Sequence, residues 1–376
     1  MNEVRREDRR CAAGPLVEVI AADEDLPRCE AAFNGQGVLA LDVEGVDLGR
    51  EGQTCLVQLA TPKVVFLFDV LHQPPSSAVV LFLKGLLEND DIVKIIHDCK
   101  MDSEVLHLHL DIELRNVHDT QAWHHVMEPQ KRKKSNLNDT LKLYGCGTNL
   151  ARDSSIYKNN PAFWASRPIT EQMIRWASED VATLFALHEA QLLRCRDLAV
   201  DEVACKRASD ENLRVLRDAT FYERIAIHPS QLRLVVGFQG ENVSSLEDVT
   251  GAHLSVQEAR GERSAGVVVR ALSAEVLASA REELQRYCQP AVEATFDVKP
   301  KQAGKLLGRG GSNIQRLRAS TGSHLHFNDA VNRDVEGTLS VLSLDAASFR
   351  ETYNSLKPWL SSATSPARLR AALASA

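Results

Sequence analysis

The sequence predicts an α/β domain with a mixed sheet, followed by two smaller α+β domains of the same element order. Apolar runs rich in Val, Leu and Phe alternate with amphipathic segments between residues 36 and 195. After about residue 201 the chain holds two units of βααββα order, roughly 70 residues apart. A chain of 376 residues is also too long for one ordinary core.

Composition indicates the domain boundaries and the class of protein. The apolar fraction of 44% and the charged fraction of 25% are typical of a folded soluble protein. We expect an N-terminal extension, the α/β domain, a helical linker, the two repeated units and a poorly ordered tail, at residues 1–30, 31–200, 201–219, 220–290, 291–360 and 361–376.

Three features of the sequence limit the cellular compartments and the binding partners that we expect: the N-terminus, the cysteines and the net charge. The charged start of the sequence favours a protein without a secretory signal, and we find no apolar stretch long enough to span a bilayer. Eight scattered cysteines without a CxxC pair predict reduced thiols in the cytoplasm or the nucleus. A net charge of −7 argues against strong, salt-dependent binding to long double-stranded nucleic acid. The basic run 131–134 offers a local patch, although a solvated loop is the preferred interpretation.

The elements of the first domain follow in the order βββαβαβα. Three short strands with tight joints predict an antiparallel meander. Helices and further strands come after the meander, and the last element is one long amphipathic helix. The segments are GVLALDVEG, TCLVQLAT and VVFLFDV as strands, then residues 77–88 (helix), 91–97 (strand), 101–110 (helix), 117–120 (strand end) and 169–193 (helix).

Two carboxylates lie in the first of these strands. Residues i and i+2 of a strand point to the same face, so Asp42 and Glu44 project together. Two negative charges side by side in an apolar strand repel each other unless a cation lies between them. Carboxylate oxygens are the ligands that hard divalent ions prefer, so the pair predicts a metal site.

Two further acids lie on helices that pack in the same layered domain. Asp102 begins a helix directly after the strand KIIH, and Asp180 lies within the long helix. Acids from one strand and two helices can converge on one point of a compact α/β layer. Metal ions held there would orient a phosphodiester and activate a water molecule.

Four ordered motifs, LDVEG, HDCKMD, VHDTQ and WASRPITEQMIRWASEDV, resemble those of the DEDD-type 3′–5′ exonucleases, in the ribonuclease D and Egalitarian-like branch. The resemblance covers residues 36 to 195. It implies a ribonuclease H-like fold and a site for two Mg²⁺ or Mn²⁺ ions, with Asp42, Glu44, Asp102 and Asp180 as ligands. The implied substrate is a single-stranded 3′ end of RNA or DNA.

One position departs from the family pattern. Where one branch of the family has Tyr four residues before the last Asp, this chain has Trp176, and where another branch has His it has Arg175. The indole N–H donates a hydrogen bond but cannot accept one. Loss of one positioned hydrogen-bonding group costs roughly 10²–10³ in rate. The resemblance therefore leaves Trp176 as a catalytic-position residue in an enzyme that is either active or weakened.

Other polar residues near these motifs receive structural interpretations. We expect Asp98 to be a turn or cap residue, and Asp119 to cap the helix that follows it. Four histidines (107, 109, 124 and 125) lack the matching Cys or Glu constellation that a zinc site requires.

The second repeated unit contains the loop GRGG between two short helices. Glycines let a backbone pass close to a phosphate, and the N–H groups at the next helix start attract its charge. The unit resembles a KH domain, which clamps single-stranded nucleotides along that loop. The predicted nucleic-acid-binding residues are Gly308, Arg309, Gly310, Gly311, Lys305 and Arg316.

The first repeated unit also resembles a KH domain but differs in its loop chemistry. It keeps Gly237 and Gly240, whereas Phe238 and Gln239 fill the middle and Glu241 follows. No cation lies within that loop. Nucleic-acid binding and a KH fold kept for packing or partner contact therefore both remain open for this unit.

Together these features favour a metal-dependent 3′–5′ exonuclease whose KH domains hold a single strand, with RNA preferred to DNA. The alternative is an RNA-binding adaptor in which the exonuclease fold serves as a platform, and Trp176 supports that alternative. The expected partners are single-stranded RNA or DNA and proteins of an RNA-processing complex, without a membrane.

Overall fold

A computed structural model describes residues 15–129, 135–149, 156, 160, 162–237, 240–257, 264–287, 292–298, 300–308, 312–327 and 337–360. The chain divides into two compact units after Asp218. Predictions for the basic run 131–134, for Arg309, Gly310 and Gly311, and for the tail 361–376 lie outside the described residues.

The first unit contains one mixed sheet of six strands. In space the order is β1-β4-β3-β2-β5-β6. The meander β2-β3-β4 is antiparallel, whereas β1 pairs with β4, β2 with β5 and β5 with β6 in parallel. The predicted α/β class with a mixed sheet is confirmed. The strands are β1 (Leu16–Ile20), β2 (Val38–Val46), β3 (Gln53–Ala60), β4 (Val64–Asp69), β5 (Val93–Ile96) and β6 (Val117–Asp119).

Helices cover both faces of this sheet. They are α1 (Leu26–Phe33), α2 (Ala78–Leu87), α3 (Lys100–Leu110), α4 (Thr120–Met127), α5 (Leu137–Leu143), α6 (Glu171–Ala182), α7 (Leu184–Asp197) and α8 (Glu202–Val215). One hydrophobic core lies on the face packed by α1, α2 and α3, and a second lies on the face packed by α6 and the start of α7. A sheet buried on both faces explains the nearly continuous apolar runs of its strands.

Three segments differ from their predicted form. The single helix expected over 169–193 is two helices that meet at Thr183, whose hydroxyl contacts the carbonyls of Glu179 (3.2 Å) and Asp180 (3.4 Å). Such bonds compete with the helical ladder and bend a helix. The expected N-terminal extension contributes β1 to the sheet edge. The expected linker contains α8, which packs on the first unit.

The second unit contains two domains of βααββα order, as predicted. The first domain has β7 (Phe221–Ala226), α9 (Pro229–Val236), α10 (Glu241–Thr250), β8 (His253–Gln257), β9 (Gly266–Ala271) and α11 (Ala274–Gln285). The other domain has β10 (Val292–Val298), α12 (Pro300–Leu307), α13 (Ser312–Thr321), β11 (His324–Phe327), β12 (Gly337–Ser343) and α14 (Ala346–Leu356). Each domain has one antiparallel sheet of three strands and its own core.

The two domains repeat individual side-chain bonds. Thr250 donates to the carbonyl of Leu246 at 2.6 Å, and Thr321 donates to Leu317 at 2.7 Å. Each threonine lies at the end of the second helix, directly before a glycine of positive φ, Gly251 or Gly322. These matching bonds support the internal repeat inferred from the sequence.

Two further observations bear on the sequence predictions. The six cysteines within the described ranges are free thiols. Among the helices described, none combines the length and the apolar character needed to cross a membrane.

Candidate functional site

Strand β2 aims two carboxylates at one face of the sheet. Leu41 and Val43 belong to the core on the α1–α3 face, whereas Ala40 belongs to the core beneath α6. Because side chains alternate along a strand, Asp42 and Glu44 point to the same face as Ala40. The two acids therefore project together, as their spacing predicts, and they face the layer that contains Asp180.

A bulge follows immediately after Glu44. The pairing of β2 with β3 shifts register between Glu44 and Gly45. A Cβ atom at Gly45 would lie 2.2 Å from the carbonyl oxygen of Gln53, so only glycine fits this close approach. β-Bulges re-aim side chains and commonly lie next to active sites.

Three acids come together at the candidate site. Asp42, Glu44 and Asp180 are partly buried, and one carboxylate oxygen from each lies within 4.8 Å of the others. They border a cavity of about 280 Å³ whose other lining residues are Val43, His97, Leu137 and Leu184. Of the four acids predicted to bind metal, the structure brings three into one cluster.

The chemistry of this donor set fits a hard divalent cation. Carboxylate oxygens are the ligands that Mg²⁺ and Mn²⁺ prefer, and one or two carboxylates with water are a usual Mg²⁺ shell. Three negative groups at this spacing repel one another unless a cation compensates them. Asp42, Glu44 and Asp180 therefore form a candidate metal centre.

Asn149 supports this cluster and was missed by the sequence analysis. Its Nδ2 donates to Asp180 Oδ1 at 2.9 Å, and its backbone N–H donates to Asn138 Oδ1 at 2.7 Å. Asn149 thereby links α5 to α6 beside the cavity. No local sequence pattern indicates such a bond, because 31 residues separate the two partners.

Asp102 lies outside the cluster of three, at the first turn of α3. Helix α3 packs on the opposite face of the sheet, through Val105, Leu106 and Leu110. Burial first, and then the charges of Asp98, Glu44 and Asp119, raise the pKa of Asp102 to about 8. The carboxyl thus lies close enough to Glu44 to feel its charge, and a proton or a cation stabilises it there.

The turn that precedes α3 is held by Asp119. This carboxylate accepts hydrogen bonds from the N–H groups of Asp98 (3.0 Å) and Cys99 (3.2 Å). It also accepts from Gln121 (2.9 Å) and Ala122 (3.2 Å), so the predicted cap of α4 is confirmed. Burial would raise the pKa of Asp119, but the charge of Lys100 and the hydrogen bonds from the Asn212 side chain and the Asp98 N–H outweigh burial and lower it.

Asp98 occupies the turn that the sequence analysis assigned to it. Its φ of 61° is left-handed, and its carboxylate pairs with the ammonium of Lys100. Burial opposes the charge of Lys100, yet Asp98 and Asp119 together raise its pKa. Lys100 therefore compensates two acids next to Asp102.

His97 lies at the end of β5 and lines the cavity. Its Nε2 donates to the carbonyl of Ser135 at 3.0 Å, and its Nδ1 lies 2.8 Å from Thr120 Oγ1. Burial lowers the pKa of His97, which favours the neutral ring. The histidine ties the strand end to the start of α5, next to Leu137 of the cavity wall.

Trp176 is buried in the core beneath α6. It is 6% exposed, and its ring centroid lies 5.5 Å from that of Phe163. The residues that line the cavity, as far as the structure describes them, do not include Trp176. Its indole packs against Phe163 at the position where one family branch has tyrosine.

Arg167 fixes the segment that leads into α6. Its guanidinium forms a paired contact with Asp69 at 2.7 and 2.6 Å and donates to the carbonyls of Trp164 and Ser166, each at 2.8 Å. Paired contacts of this geometry are among the stronger charge-assisted bonds. Arg167 lies within the motif WASRPITEQMIRWASEDV, and no local pattern there indicates a partner 98 residues earlier in the chain.

The same asparagine hydrogen bond closes the glycine loop in both domains of the second unit. Asn242 Nδ2 donates to the carbonyl of Leu234 at 2.6 Å, and Asn313 Nδ2 donates to that of Lys305 at 2.8 Å. A Cβ at Gly237 (φ 70°) or at Gly308 (φ 74°) would lie 2.8 Å from the asparagine backbone nitrogen. Both loops thus require glycine at their first position.

The two loops differ in charge. Lys305 and Arg316 of the second domain correspond, 71 residues earlier, to Leu234 and Ser245 of the first. Leu234 is 2% exposed but does not belong to the core cluster of its own domain. Helix α9, which carries Leu234, lies against β12 of the second domain. The first domain therefore uses this helix for packing, whereas the second has cations at the matching positions.

The first unit is a mixed α/β domain in which three acids converge. Two domains follow it, each with a glycine loop that an asparagine side chain holds. This combination is typical of a nuclease fold followed by nucleic-acid-binding domains. Residues 17–193 match the family model of a 3′-5′ exonuclease, and residues 222–286 and 293–342 match that of the KH domain. The first unit is therefore similar to 3′-5′ exonucleases, and the second unit contains two regions similar to KH domains.

Known proteins resemble parts of the chain. The piRNA biogenesis protein EXD1 of Mus musculus is 29% identical over 182 residues, which cover 45% of this chain and 30% of that protein. The Egalitarian protein homolog of Caenorhabditis elegans is 30% identical over 149 residues, which cover 36% and 25%. The crystal structure of Trypanosoma brucei RNase D is 26% identical, with a TM-score of 0.49, and the match covers 54% of this chain and 72% of that one. The chain thus spans about a third or less of the length of these two curated relatives.

Proposed function

We propose that the protein is a metal-dependent 3′–5′ exonuclease that shortens single-stranded nucleic acid, with RNA preferred to DNA. The observation that carries this proposal is the cluster of Asp42, Glu44 and Asp180 at the edge of a cavity. A cavity of about 280 Å³ is near the lower end of small-molecule sites, which suits one terminal nucleotide.

Each acid has a role in this proposal. Asp42, Glu44 and Asp180 would hold Mg²⁺ or Mn²⁺, and Asp102 would contribute to a second ion beside Glu44. Bound ions of this kind orient a phosphodiester and stabilise charge on the attacking and leaving oxygens. Asn149 would keep Asp180 in place, and Leu137 with Leu184 would offer apolar contact to a base.

The second KH domain is the principal nucleic-acid-binding element in this proposal. Lys305 and Arg316 flank its loop, and Gly308 lets the backbone approach a phosphate. The first KH domain has Leu234 and Ser245 at those positions, so it would act mainly as a partner for packing. Single-stranded RNA is the substrate that KH domains suit best.

A labelled single strand tests the proposal. Full-length protein is incubated with RNA or DNA carrying a 5′ label, in Mg²⁺ or Mn²⁺, and the products are separated by length. A ladder that shortens from the 3′ end and vanishes in Asp42→Asn supports the exonuclease. Asp90→Asn removes an exposed carboxylate (73% exposed) and should leave the ladder unchanged.

One observation favours a second function, that of an RNA-binding adaptor. Trp176 is buried against Phe163, at the position where a hydroxyl would be expected in an active member of that branch. In this alternative the labelled RNA shifts on a native gel without shortening, and Asp42→Asn changes nothing. That result would contradict the exonuclease.

A further inference from the structure

Helix α8 follows the region that matches the exonuclease family, which ends at residue 193. Its residues Cys205 and Ser209 are fully buried, and Leu213 is 5% exposed. The buried side of the helix faces α3, α4 and β6 of the first unit. A segment expected to be a linker is therefore part of the packed domain.

Helix α8 reaches Asp119 with two polar groups. Asn212 Nδ2 donates to Asp119 Oδ2 at 2.8 Å, and Ser209 Oγ accepts from the backbone N–H of Asp119 at 3.1 Å. Asp119 in turn holds the N–H groups of Asp98 and Cys99, directly before α3. A chain of hydrogen bonds therefore runs from α8 to the start of the helix that carries Asp102.

A second bond connects the same two helices directly. Ser103 Oγ donates to the carbonyl oxygen of Leu213 at 2.7 Å, and Ser103 is completely buried. Ser103 follows Asp102 in the first turn of α3. The backbone on both sides of Asp102 is thus tied to α8, by Asp119 before it and by Ser103 after it.

We propose that Asn212 is a positioning residue for Asp102, acting through Asp119. This inference rests on the proposed exonuclease function. Asp119 is fully buried and holds the turn at Asp98 and Cys99 only while its own carboxylate is fixed. Without the amide of Asn212, the N–H of Cys99 is the one donor left to Asp119 Oδ2 among the described residues, so this oxygen can move and the first turn of α3 shifts with it. A displacement of about 1 Å at a reacting group costs roughly 10²-fold in rate.

Asn212→Ala in the full chain tests this role. We expect kcat on labelled single-stranded RNA to fall at least about 10-fold while KM stays unchanged, because the KH loops are untouched. We also expect the affinity for Mn²⁺ alone, measured by calorimetry without RNA, to fall about 10-fold, the usual effect of a residue that orients a metal ligand.

Asp201→Ala is the matched control on the same helix. Asp201 caps the far end of α8 by accepting from the N–H of Val203 at 3.0 Å, at the opposite end of the helix from Asn212. Its loss weakens the helix without moving the turn at Asp98. We expect kcat and Mn²⁺ affinity to stay at wild-type values in this variant, whatever the change in melting temperature.

Two results would overturn the inference. In one, Asn212→Ala keeps wild-type kcat and wild-type Mn²⁺ affinity. In the other, both variants lose kcat in proportion to their loss of melting temperature, which indicates a purely structural helix. If wild type binds Mn²⁺ but shortens no RNA, the proposed function fails and the Mn²⁺ affinities still decide the role of Asn212. If wild type binds no Mn²⁺, both proposals fail.

Discussion

Asn149 Nδ2 donates a hydrogen bond of 2.9 Å to Asp180 Oδ1, and this bond fixes one oxygen of the carboxylate that α6 contributes to the acid cluster. The amide side chain is itself restrained, because the backbone N–H of Asn149 donates to Asn138. Asn149 therefore holds one oxygen of the Asp180 carboxylate, and this bond also restricts the rotation of the carboxylate within the cluster.

Removal of the Asn149 amide should weaken the metal centre without emptying it. For Asn149→Ala we expect the concentration of Mn²⁺ that gives half-maximal RNA shortening to rise about 10-fold to 100-fold. Asn138→Ala removes the bond to the backbone of Asn149 and should have a smaller effect. An unchanged Mn²⁺ dependence in Asn149→Ala would show that Asp180 needs no such support.

The raised pKa of Asp102 predicts how the metal-free protein responds to pH. The folded state keeps this proton until about pH 8, whereas the unfolded chain releases it near pH 4. Between these values the unfolded state binds fewer protons, so the free energy of unfolding falls as pH rises. Asp102→Asn removes this loss.

We therefore expect Asp102→Asn to melt at a higher temperature than wild type at pH 8 in EDTA, with a difference that shrinks toward pH 4. Thermal unfolding followed at several pH values measures this. Parallel melting curves for the two proteins across that range would contradict the raised pKa.

His118 predicts the opposite response in acid. It is 4% exposed, stacks on Trp123 at 4.0 Å and lies 2.9 Å from Gln191 Oε1. Burial, and then the neighbouring His188, lower its pKa to about 3. Since the unfolded ring is protonated below about pH 6.5, stability should fall as pH decreases from there toward 3.

His118→Phe keeps an aromatic ring on Trp123 but cannot be protonated. We expect this variant to lose less stability than wild type between pH 7 and pH 4, even if it is less stable at pH 7 because the bond to Gln191 is missing. Urea unfolding at both pH values gives the comparison. An equal loss in the two proteins would exclude His118 as a source of acid lability.

Trp176→Tyr tests whether the indole limits catalysis. A phenol four residues before Asp180 restores a group that can both donate and accept a hydrogen bond. We expect the rate of RNA shortening to rise, by up to about 10² if the hydroxyl reaches the position that the tyrosine branch uses. The smaller ring also leaves space beside Phe163 and should cost about 1–2 kcal/mol of stability.

Trp176→Phe is the control for that variant, because it leaves similar space without a hydroxyl. A gain in Trp176→Tyr that is absent from Trp176→Phe would assign the effect to the hydroxyl. Equal rates in the two variants would assign it to packing alone.

We expect the second KH domain to bind single-stranded RNA with an affinity that depends on salt concentration. Replacing Lys305 and Arg316 by alanine should weaken binding to single-stranded RNA and lower the slope of log K against log salt by about 0.7 for each phosphate that is no longer neutralised. Filter binding at several salt concentrations measures the slope. Ser245→Ala, at the position of the first domain that matches Arg316, should leave both affinity and slope unchanged.

Local patterns predicted most of the fold. Strand alternation placed Asp42 and Glu44 on one face, and the HDT sequence predicted that Asp119 caps α4. The repeated βααββα order was equally clear, because turns and apolar periodicity act over short distances. In each case the physical cause lies within a few residues of the element.

The contacts that the sequence did not reveal bridge distant parts of the chain. Asn149 meets Asp180 across 31 positions, and Asn212 meets Asp119 across 93. Amide side chains of this kind have no periodicity that could indicate a partner, and their geometry exists only after the layers pack. The same holds for the position of Asp102, near Glu44 but outside the cluster of three, which depends on how α3 packs on the sheet.

The bulge at Gly45 has a consequence for variation in the chain. The pairing of β2 with β3 shifts register directly after Glu44. The pairing beyond this shift therefore does not set the direction in which Asp42 and Glu44 project. Insertions or deletions at the tip of that hairpin would alter its length while both carboxylates keep their aim. Position 45 itself tolerates no side chain. We therefore expect the length of the loop to vary while the glycine at position 45 and the direction of the two acids stay the same.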